Sequence, residues 1–521
     1  MRTKRLIGVL ALGLGLVTLL VLLLALQTVR AAGTNRYVAT TGRDAIPIGG
    51  GLYLINECTV TIDPCRTIQH AVNRADPGDT ILVATGVYTG VQARNGMTQV
   101  VYIDESLSIR GGYTTTNWTI PYPLTQPTTL DAQGLGRVVV ITGNVIPTLD
   151  GLVIARGNAS GQAAGCPFAH GAASGCGGGI FVYAARPIIV NNIITNNVAS
   201  AVSGTGYGGG LYLKNANGAV INSNIIISNV ARLTGYGDGG GLYLDRSNAL
   251  VRYNQILNNY ATLQTTHSWG GGISANYGAP TVEGNILHGN WVNPSGTNYP
   301  GAAIYLWSDS GTYSGNQITE NHGQSAIWLS RGQPRLEGNR VIGNATAIGI
   351  EMFSGPGVAT LVNNVVARSG AQVIRAEGQS GQALTATLIH NTLVGPGGGS
   401  GIYVAGYTTV FVTNTIAVSA TWGITNVSPV SATVIADHNL FWANTYPGIQ
   451  GTNPVSGDPR FVNPAGSDYH IGAGSAAADA GISAGVTTDI DGDPRPIGAA
   501  PDIGADERGM CVYLPLVMRN Y

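Results

Sequence analysis

A short motif recurs through the middle of the chain and restricts the fold more than any other feature. Asn192-Ile193-Ile194-Thr195-Asn196-Asn197 has the form Asn-x-apolar-x-x-Asn. It returns in full at Asn224/Ile226/Asn229, Asn254/Ile256/Asn259, Asn285/Leu287/Asn290, Asn316/Ile318/Asn321 and Asn339/Val341/Asn344. Asn364/Val366/Ser369, Asn414/Ile416/Ser419 and Asn439/Phe441/Asn444 vary it little, and Asn391/Leu393 keeps its first half. The first Asn advances by 32, 30, 31, 31, 23, 25, 27, 23 and 25 residues. A glycine triplet precedes four of the units, at 177–179, 208–210, 239–241 and 270–272, each followed by Ile or Leu.

A fixed period of this size, built from short apolar alternations, is the signature of a solenoid. Leucine-rich and helical repeats do not fit, because no L-x-x-L-x-L core and no stretch of helical periodicity is present. In one unit strands are expected near 211–213, 219–221 and 225–227. Stacked coils would place such strands in parallel sheets ~4.8 Å apart. Asn is expected at the tight corners because it tolerates left-handed backbone, and stacked Asn side chains can hydrogen-bond from coil to coil. This pattern explains the composition: 76 Gly in 521 residues and only 10% charged side chains, with hydrophobic content still at 44%. That balance excludes a disordered tail and a helical globular enzyme; collagen is excluded because Gly has no three-residue period.

Met1 to Ala32 carries a basic start (Arg2, Lys4, Arg5), an uncharged stretch from Leu6 to Leu26, and Val29-Arg30-Ala31 as a cleavage site. It reads as a secretory signal peptide over 1–31, or as a retained anchor if uncleaved, since 21 apolar residues can span a bilayer. Either way the rest lies outside the cytoplasm, extracellular or on the cell surface, with membrane contact only through that segment. No basic run follows, so nucleic acid is not an expected partner. In an exported chain, Cys58 with Cys65 and Cys166 with Cys176 are expected as two local disulfides, leaving Cys511 over.

The motifs together resemble the right-handed parallel β-helix repeat proteins of the pectin-lyase-like superfamily, over residues 37–507. Pro64-Cys65-Arg66-Thr67-Ile68-Gln69-His70-Ala71-Val72 and Pro77-Gly78-Asp79-Thr80-Ile81-Leu82-Val83 resemble the opening of secreted bacterial members. Ile68, Ala71, Val72 and Ala75 share one face of a short helix, a lid for the first coil. Asp489-Ile490-Asp491-Gly492-Asp493-Pro494-Arg495-Pro496 and Pro501-Asp502-Ile503-Gly504-Ala505-Asp506-Glu507 resemble the C-terminal cap of extracellular members. The expected fold is thus all-β, a right-handed parallel β-helix with an N-terminal capping helix and a C-terminal cap. Its expected divisions are leader 1–31, N-terminal cap and first coils 34–148, repeats 149–445, cap 446–508 and tail 509–521. The tail reads either as a surface-attachment signal or as a final strand.

The 31-residue spacing aligns columns of side chains that should point outward. One reads Phe181, Tyr212, Tyr243, Ser274, Tyr305, Trp328; the next reads Tyr183, Lys214, Asp245, Asn276, Trp307. A loop column before the glycines reads Tyr207, Asp238, Trp269, Pro300. The expectation is an exposed aromatic face, of Tyr207, Tyr212, Tyr243, Trp269, Tyr305 and Trp328, that stacks on sugar rings; the alternative is stacking for stability alone. Lys214, the one lysine after the leader, aligns with Asp245 as an ion pair on adjacent coils. The resemblance implies no catalytic residue by itself. The Asp-Asp, Gly-His-Gly, Arg-Ile-Lys and Arg-x-Pro-x-x-Arg segments of its enzymes are absent. The catalytic candidates are Lys214 as a base with Asp238 and Asp245; His267, His288 and His322 are expected in loops or corners. Asp489, Asp491 and Asp493 form an oxygen-rich loop that could hold calcium, with a solvated turn as the alternative; no other cofactor is expected.

The expected function is a secreted or surface protein, monomeric and without catalysis, that binds polysaccharide or cell envelope. A polysaccharide lyase or glycoside hydrolase with an unfamiliar site, and a purely structural surface protein, are the competing readings.

Overall fold

The computed structural model describes residues 33–49, 51–162, 166, 174–202, 204–264, 268–293, 301–353, 355 and 357–509. Its chain winds in coils whose equivalent strands pair in parallel from coil to coil. One coil runs through Leu211–Lys214, Val220–Asn222 and Ile225–Ile227, the three strands expected from the motif. The third strands form a 14-stranded parallel sheet from Gly86–Tyr88 to Val455–Ser456. Alternation places Ile180, Val182, Leu211, Leu213, Leu242 and Leu244 in the interior, all fully buried. Each coil therefore completes the apolar core of the next, as a solenoid requires.

The helix Ile68–Arg74 closes the first coil. Thr67 caps it by accepting the His70 N–H, and Ile68, Ala71 and Val72 turn into the core. Gln69, polar and buried, docks the helix as a strand would: its Oε1 accepts the Tyr102 N–H at 2.6 Å and its Nε2 donates to the Tyr102 carbonyl at 3.2 Å. Cys58 is bonded to Cys65 and Cys166 to Cys176, as expected.

The asparagines stack, but for a different reason than corner geometry. Each ladder Asn is buried and bonds to its successor one coil on. Asn224 donates from both its backbone N and Nδ2 to Asn254 Oδ1, at 2.9 and 3.0 Å. A second ladder runs beside it, Asn229 donating to Asn259 Oδ1 at 3.0 Å and Asn259 to Asn290 Oδ1 at 3.0 Å. The left-handed residue is the one before the rung: Asn191, Ser223, Tyr253, Asn363 and His390 all have positive φ. This shifts one unit. Asn414 is itself left-handed, and Thr415 occupies the rung, its N–H donating to Asn439 Oδ1 at 2.9 Å.

The C-terminal segment packs against one side of the coil stack. It runs back along the flank of the 14-stranded sheet, with Tyr469, Ile471, Ala477, Ile503 and Ala505 packed on Val365, Val394, Ile416, Val418 and Leu440. Those late strands are apolar on both faces, so the outer face needs a cover. Asn414 pins it, accepting the Ile482 N–H at 3.0 Å and donating to the Ile482 carbonyl at 2.6 Å. Among the described residues no helix is long and apolar enough to cross a membrane. The expected leader, the tail with Cys511, His267 and Pro300 lie outside those residues.

Candidate functional site

The outward column of the first face stacks as a ladder of rings. Phe181 lies 5.6 Å from Tyr212 and Tyr212 lies 5.5 Å from Tyr243, centroid to centroid and nearly parallel. Further on, Tyr305 stacks on Trp328 at 4.8 Å. The ladder is not the exposed platform expected from the sequence. Tyr207, Tyr212, Tyr243, Tyr305 and Trp328 are all buried, Tyr212 completely, and Trp269 is half-buried.

The cause is a second layer. The segments before the glycine triplets are themselves strands, Gly175–Cys176, Gly206–Tyr207, Gly237–Asp238 and Ser268–Trp269, paired in a four-stranded parallel sheet. Cys176 and Tyr207 close over Phe181, Tyr212 and Tyr243, and with Tyr102 and Val140 they make a small apolar core outside the coil. The glycines permit the fold-back: Gly208 has φ +62, and a Cβ there would lie 2.1 Å from the Leu211 carbonyl oxygen. Arg137, fully buried, ends the ladder with its guanidinium 4.7 Å from the Phe181 ring centre. Its Nε donates to the Cys176 carbonyl at 2.9 Å.

The two layers interlock with a one-coil offset. Tyr207 packs edge-on against Tyr243 at 5.2 Å, and Trp269 packs against Tyr305 at 6.0 Å. Between these pairs both layers lose their ring at once. The ladder position between Tyr243 and Tyr305 is Ser274, and the overlayer position between Tyr207 and Trp269 is Asp238. Asn276 stands beside them, its Nδ2 donating to the Tyr243 hydroxyl at 2.5 Å. Asp238 is 4% exposed, Ser274 0% and Asn276 9%. Asp238 Oδ1, Ser274 Oγ and Asn276 Oδ1 have no partner of full hydrogen-bond geometry, although buried polar atoms normally have one; Ser274 and Asn276 lie only near enough to Asp238 to favour its charged form.

Two carboxylates face this notch from opposite electrostatic settings. Burial pushes the Asp238 carboxyl up to about 7, against the smaller pull of Ser274, Asn276 and the Gly239 N–H toward the charged form. Asp245 is also raised by burial, but Arg246, Lys214 and the Tyr212 hydroxyl all favour its charged form. Lys214 Nζ is 3.8 Å and Arg246 Nη1 3.4 Å from its carboxylate, and the Tyr212 hydroxyl is 3.4 Å away. These are loose contacts that leave room at the carboxylate. Tyr207 and Tyr243 sense both acids: burial first, then the Asp238 and Asp245 charges, raise each hydroxyl, Tyr207 to about 12. Burial raises both acids, but only Asp245 has cations beside it, a difference that favours a proton on Asp238 and the charge on Asp245.

Of the three catalytic candidates read from the sequence, Lys214 and Asp245 pair as aligned, and Asp238 is linked to them through Tyr207 and Tyr243, whose hydroxyls both acids raise. Lys214 is cast as a counter-ion to Asp245 rather than as a base, because its ammonium is committed to that carboxylate. Ser274 and Asn276 stood in the aligned columns but carried no role; the interruption of an aromatic column was their signal. Beyond the notch, Arg246 lies over Tyr277 at 5.2 Å, the Trp307 Nε1–H donates to the Tyr277 hydroxyl at 3.3 Å, and Arg331 lies over Trp307 at 4.9 Å.

The candidate calcium loop does not gather its carboxylates. Asp489 is used as a turn clamp, Oδ1 accepting the Asp491 and Asp493 N–H groups at 2.9 and 2.8 Å and Oδ2 that of Glu507 at 2.9 Å. Asp491 turns away to Arg340 at 2.9 Å and to His470 at 2.6 Å, and Asp493 is exposed. Among the described residues the only groups with metal-ligand proximity are Cys58/Cys65/His70, where the thiols are joined, and His470/Asp491/Asp506. Rather than lying in loops or corners, His288 ends the strand Ile286–His288, its Nδ1 3.0 Å from the Thr319 hydroxyl, and His322 opens the strand His322–Gly332, exposed.

The family model described as right handed beta helix region matches residues 135–318 and 302–463. Among solved structures, the chain is similar to pectate lyase Pel9A, at 13% identity and TM-score 0.39, over 91% of this chain and 96% of that one. It is similar to XylC in complex with xylose at 10% identity and TM-score 0.46, over 91% and 98%. It is also similar to the GH136 lacto-N-biosidase from Eubacterium ramulus at 13% identity and TM-score 0.27, over 81% and 67%. No curated protein matches the sequence.

Proposed function

The chain belongs to the right-handed β-helix family, and from that premise we propose that it is an extracellular enzyme that hydrolyses glycosidic bonds at the Asp238–Asp245 notch. One observation carries the reading: two buried carboxylates act on the same pair of tyrosines, Tyr207 and Tyr243, one with no cation among its described neighbours and one beside Lys214 and Arg246. Glycoside hydrolysis needs such a pair, a neutral acid and an ionised carboxylate. Asp238 gives its proton to the departing glycosidic oxygen as the bond to the anomeric carbon breaks. Asp245 takes a proton from the attacking water, whose oxygen forms the new bond to the anomeric carbon; Asp245 then releases that proton to solvent and Asp238 is reloaded from solvent. Lys214 and Arg246 keep Asp245 charged, and Tyr212 orients it. The two disulfides suit an oxidising compartment.

The test is release of reducing ends from a panel of neutral and acidic polysaccharides. Wild type is expected to act on a neutral member. Asp238→Asn and Asp245→Asn should each lower turnover by ~10²-fold or more while keeping the wild-type circular dichroism. Unsaturated uronate ends instead of hydrolysis products would replace this reading with a lyase, and no product across the panel would remove it. Binding without catalysis, the other reading, is favoured at a different place. Trp422 and Tyr446 stack at 4.6 Å and remain 40% and 52% exposed, a solvent-facing platform near the end of the coil. Unchanged polysaccharide retention after Trp422→Ala would exclude it.

A further inference from the structure

We propose that the broken rung at Ser274 is a subsite for one neutral sugar unit, whose hydroxyl-bearing edge enters between Tyr243 and Tyr305. The inference rests on the catalytic reading of the notch and names what the notch selects. The first argument is the coincidence of the gap. A single small residue in the ladder would be filled by a larger one in the layer above, since interiors pack without voids. Here the covering residue is small too: Asp238 stands where the adjoining coils place Tyr207 and Trp269. Rings are missing from both layers at one rung and present on either side of it.

The second argument is the chemistry left at the gap. Asp238 Oδ1, Ser274 Oγ and Asn276 Oδ1 are buried and without a partner of full hydrogen-bond geometry. Asn276 Oδ1 can only accept a hydrogen bond, and the protonated Asp238 carboxyl and the serine can do either. The complementary ligand must therefore bring a donor. An aromatic ring would fill the volume and leave all three atoms unsatisfied. A sugar edge offers several hydroxyl donors, while its C–H faces lie against the tyrosine rings. The sugar must also be neutral. Lys214 and Arg246 already lie beside Asp245, so a uronate carboxylate would be buried at this rung with no cation beside it among the described residues.

The experiment measures calorimetric binding of xylose, galactose and galacturonate to the whole mature chain, together with thermal melting. Four chains are compared: wild type, Ser274→Phe, Ser274→Ala and Asp245→Asn. Ser274→Phe restores the missing ring. It should melt at or above the wild-type temperature and weaken binding of the neutral sugar at least tenfold. Ser274→Ala keeps the space and removes one hydroxyl, so a smaller loss of about three- to tenfold is expected. Galacturonate should bind at least tenfold more weakly than the better neutral sugar. A Ser274→Phe chain that melts well below wild type or does not fold means the rung is not open, and overturns the subsite. So does wild type that binds neither neutral sugar, or equal binding by wild type and Ser274→Ala. Asp245→Asn separates the two readings. Binding kept in that variant with turnover lost supports both. Binding by a wild type that turns over nothing ends the catalytic reading and leaves the subsite standing. Unchanged turnover in Ser274→Phe ends the subsite alone.

Discussion

The asparagine ladder at the corners and the aromatic ladder on the first face climb the same coils, yet between Asn192 and Asn391 only the aromatic one is interrupted. From Asn192 to Asn391 every rung of the first is an asparagine that accepts from the one before and donates to the one after. A rung of that kind is obligatory, because losing it orphans a buried backbone N–H and a buried amide. The aromatic rungs hold one another by ring contact alone. Losing one removes contact area and orphans no backbone group, so the ladder can be broken where another demand is stronger. It is broken at Ser274, in register with Asp238 above. A polar pair there adds nothing to packing, and the coincidence in two layers marks the site.

Four outcomes would break or sharpen that contrast. The largest effect is expected from Tyr243→Ala, which strips a ring from Tyr207 and Tyr212 at once and should cost about 3–5 kcal/mol in denaturant unfolding. A loss below about 1 kcal/mol would mean that the ladder is not close-packed. Asn259→Ala should follow at about 2–3 kcal/mol, since it leaves Asn229 and the Ile226 carbonyl without their partner. Asn229→Ala should match it within about 0.5 kcal/mol; a wide gap between the two would show that the rungs are not equivalent.

The third outcome concerns pH. Asp238 faces Tyr207, Tyr243, Tyr305, Ser274, Asn276 and the Gly239 N–H, with no cation among its described neighbours. Its folded value is raised to about 7, so the stability of its neutral form is fully present below the ordinary carboxylate range and is lost as pH rises through 7. Asp309, near 7, and Asp506, near 6, titrate in the same sense, so the readout is the difference between chains. Asp238→Asn should gain on wild type between acid and mildly alkaline pH, by on the order of 1–3 kcal/mol. A difference that does not change with pH would sink the assignment of Asp238 as the neutral acid. The smallest effect is expected from Trp422→Ala, whose solvent-facing stack on Tyr446 should contribute no more than about 1 kcal/mol. A larger loss would place that pair in the packed class with Tyr243.

Much of this was legible in the residues, and the misreadings have physical causes. The period located the three strands of each coil, the inward pairs such as Leu211/Leu213, the stacked asparagines and the Lys214–Asp245 pair. At Asn414 the same motif misled by one residue, because two asparagine-tolerant positions lie side by side: the left-handed corner and the rung after it. Asp489, Asp491 and Asp493, read as a candidate calcium loop, are spread over separate partners here, because alternating carboxylates serve equally well as turn acceptors. Only the partners brought in from Arg340, His470 and Glu507 distinguish the two.

The sequence by itself determined the solenoid, since a repeated local rule needs only its nearest neighbours to be satisfied. Which residues face outward was equally a matter of two-residue alternation. What only the tertiary structure decided is what outward means. Gly206–Tyr207, Gly237–Asp238 and Ser268–Trp269 are strands of two residues, too short to carry any periodicity, and they exist only by pairing with each other across coils. By folding over the first face they turn a row of surface rings into a second core. A lysine and two aspartates scattered over two repeats then become the charged lining of one notch.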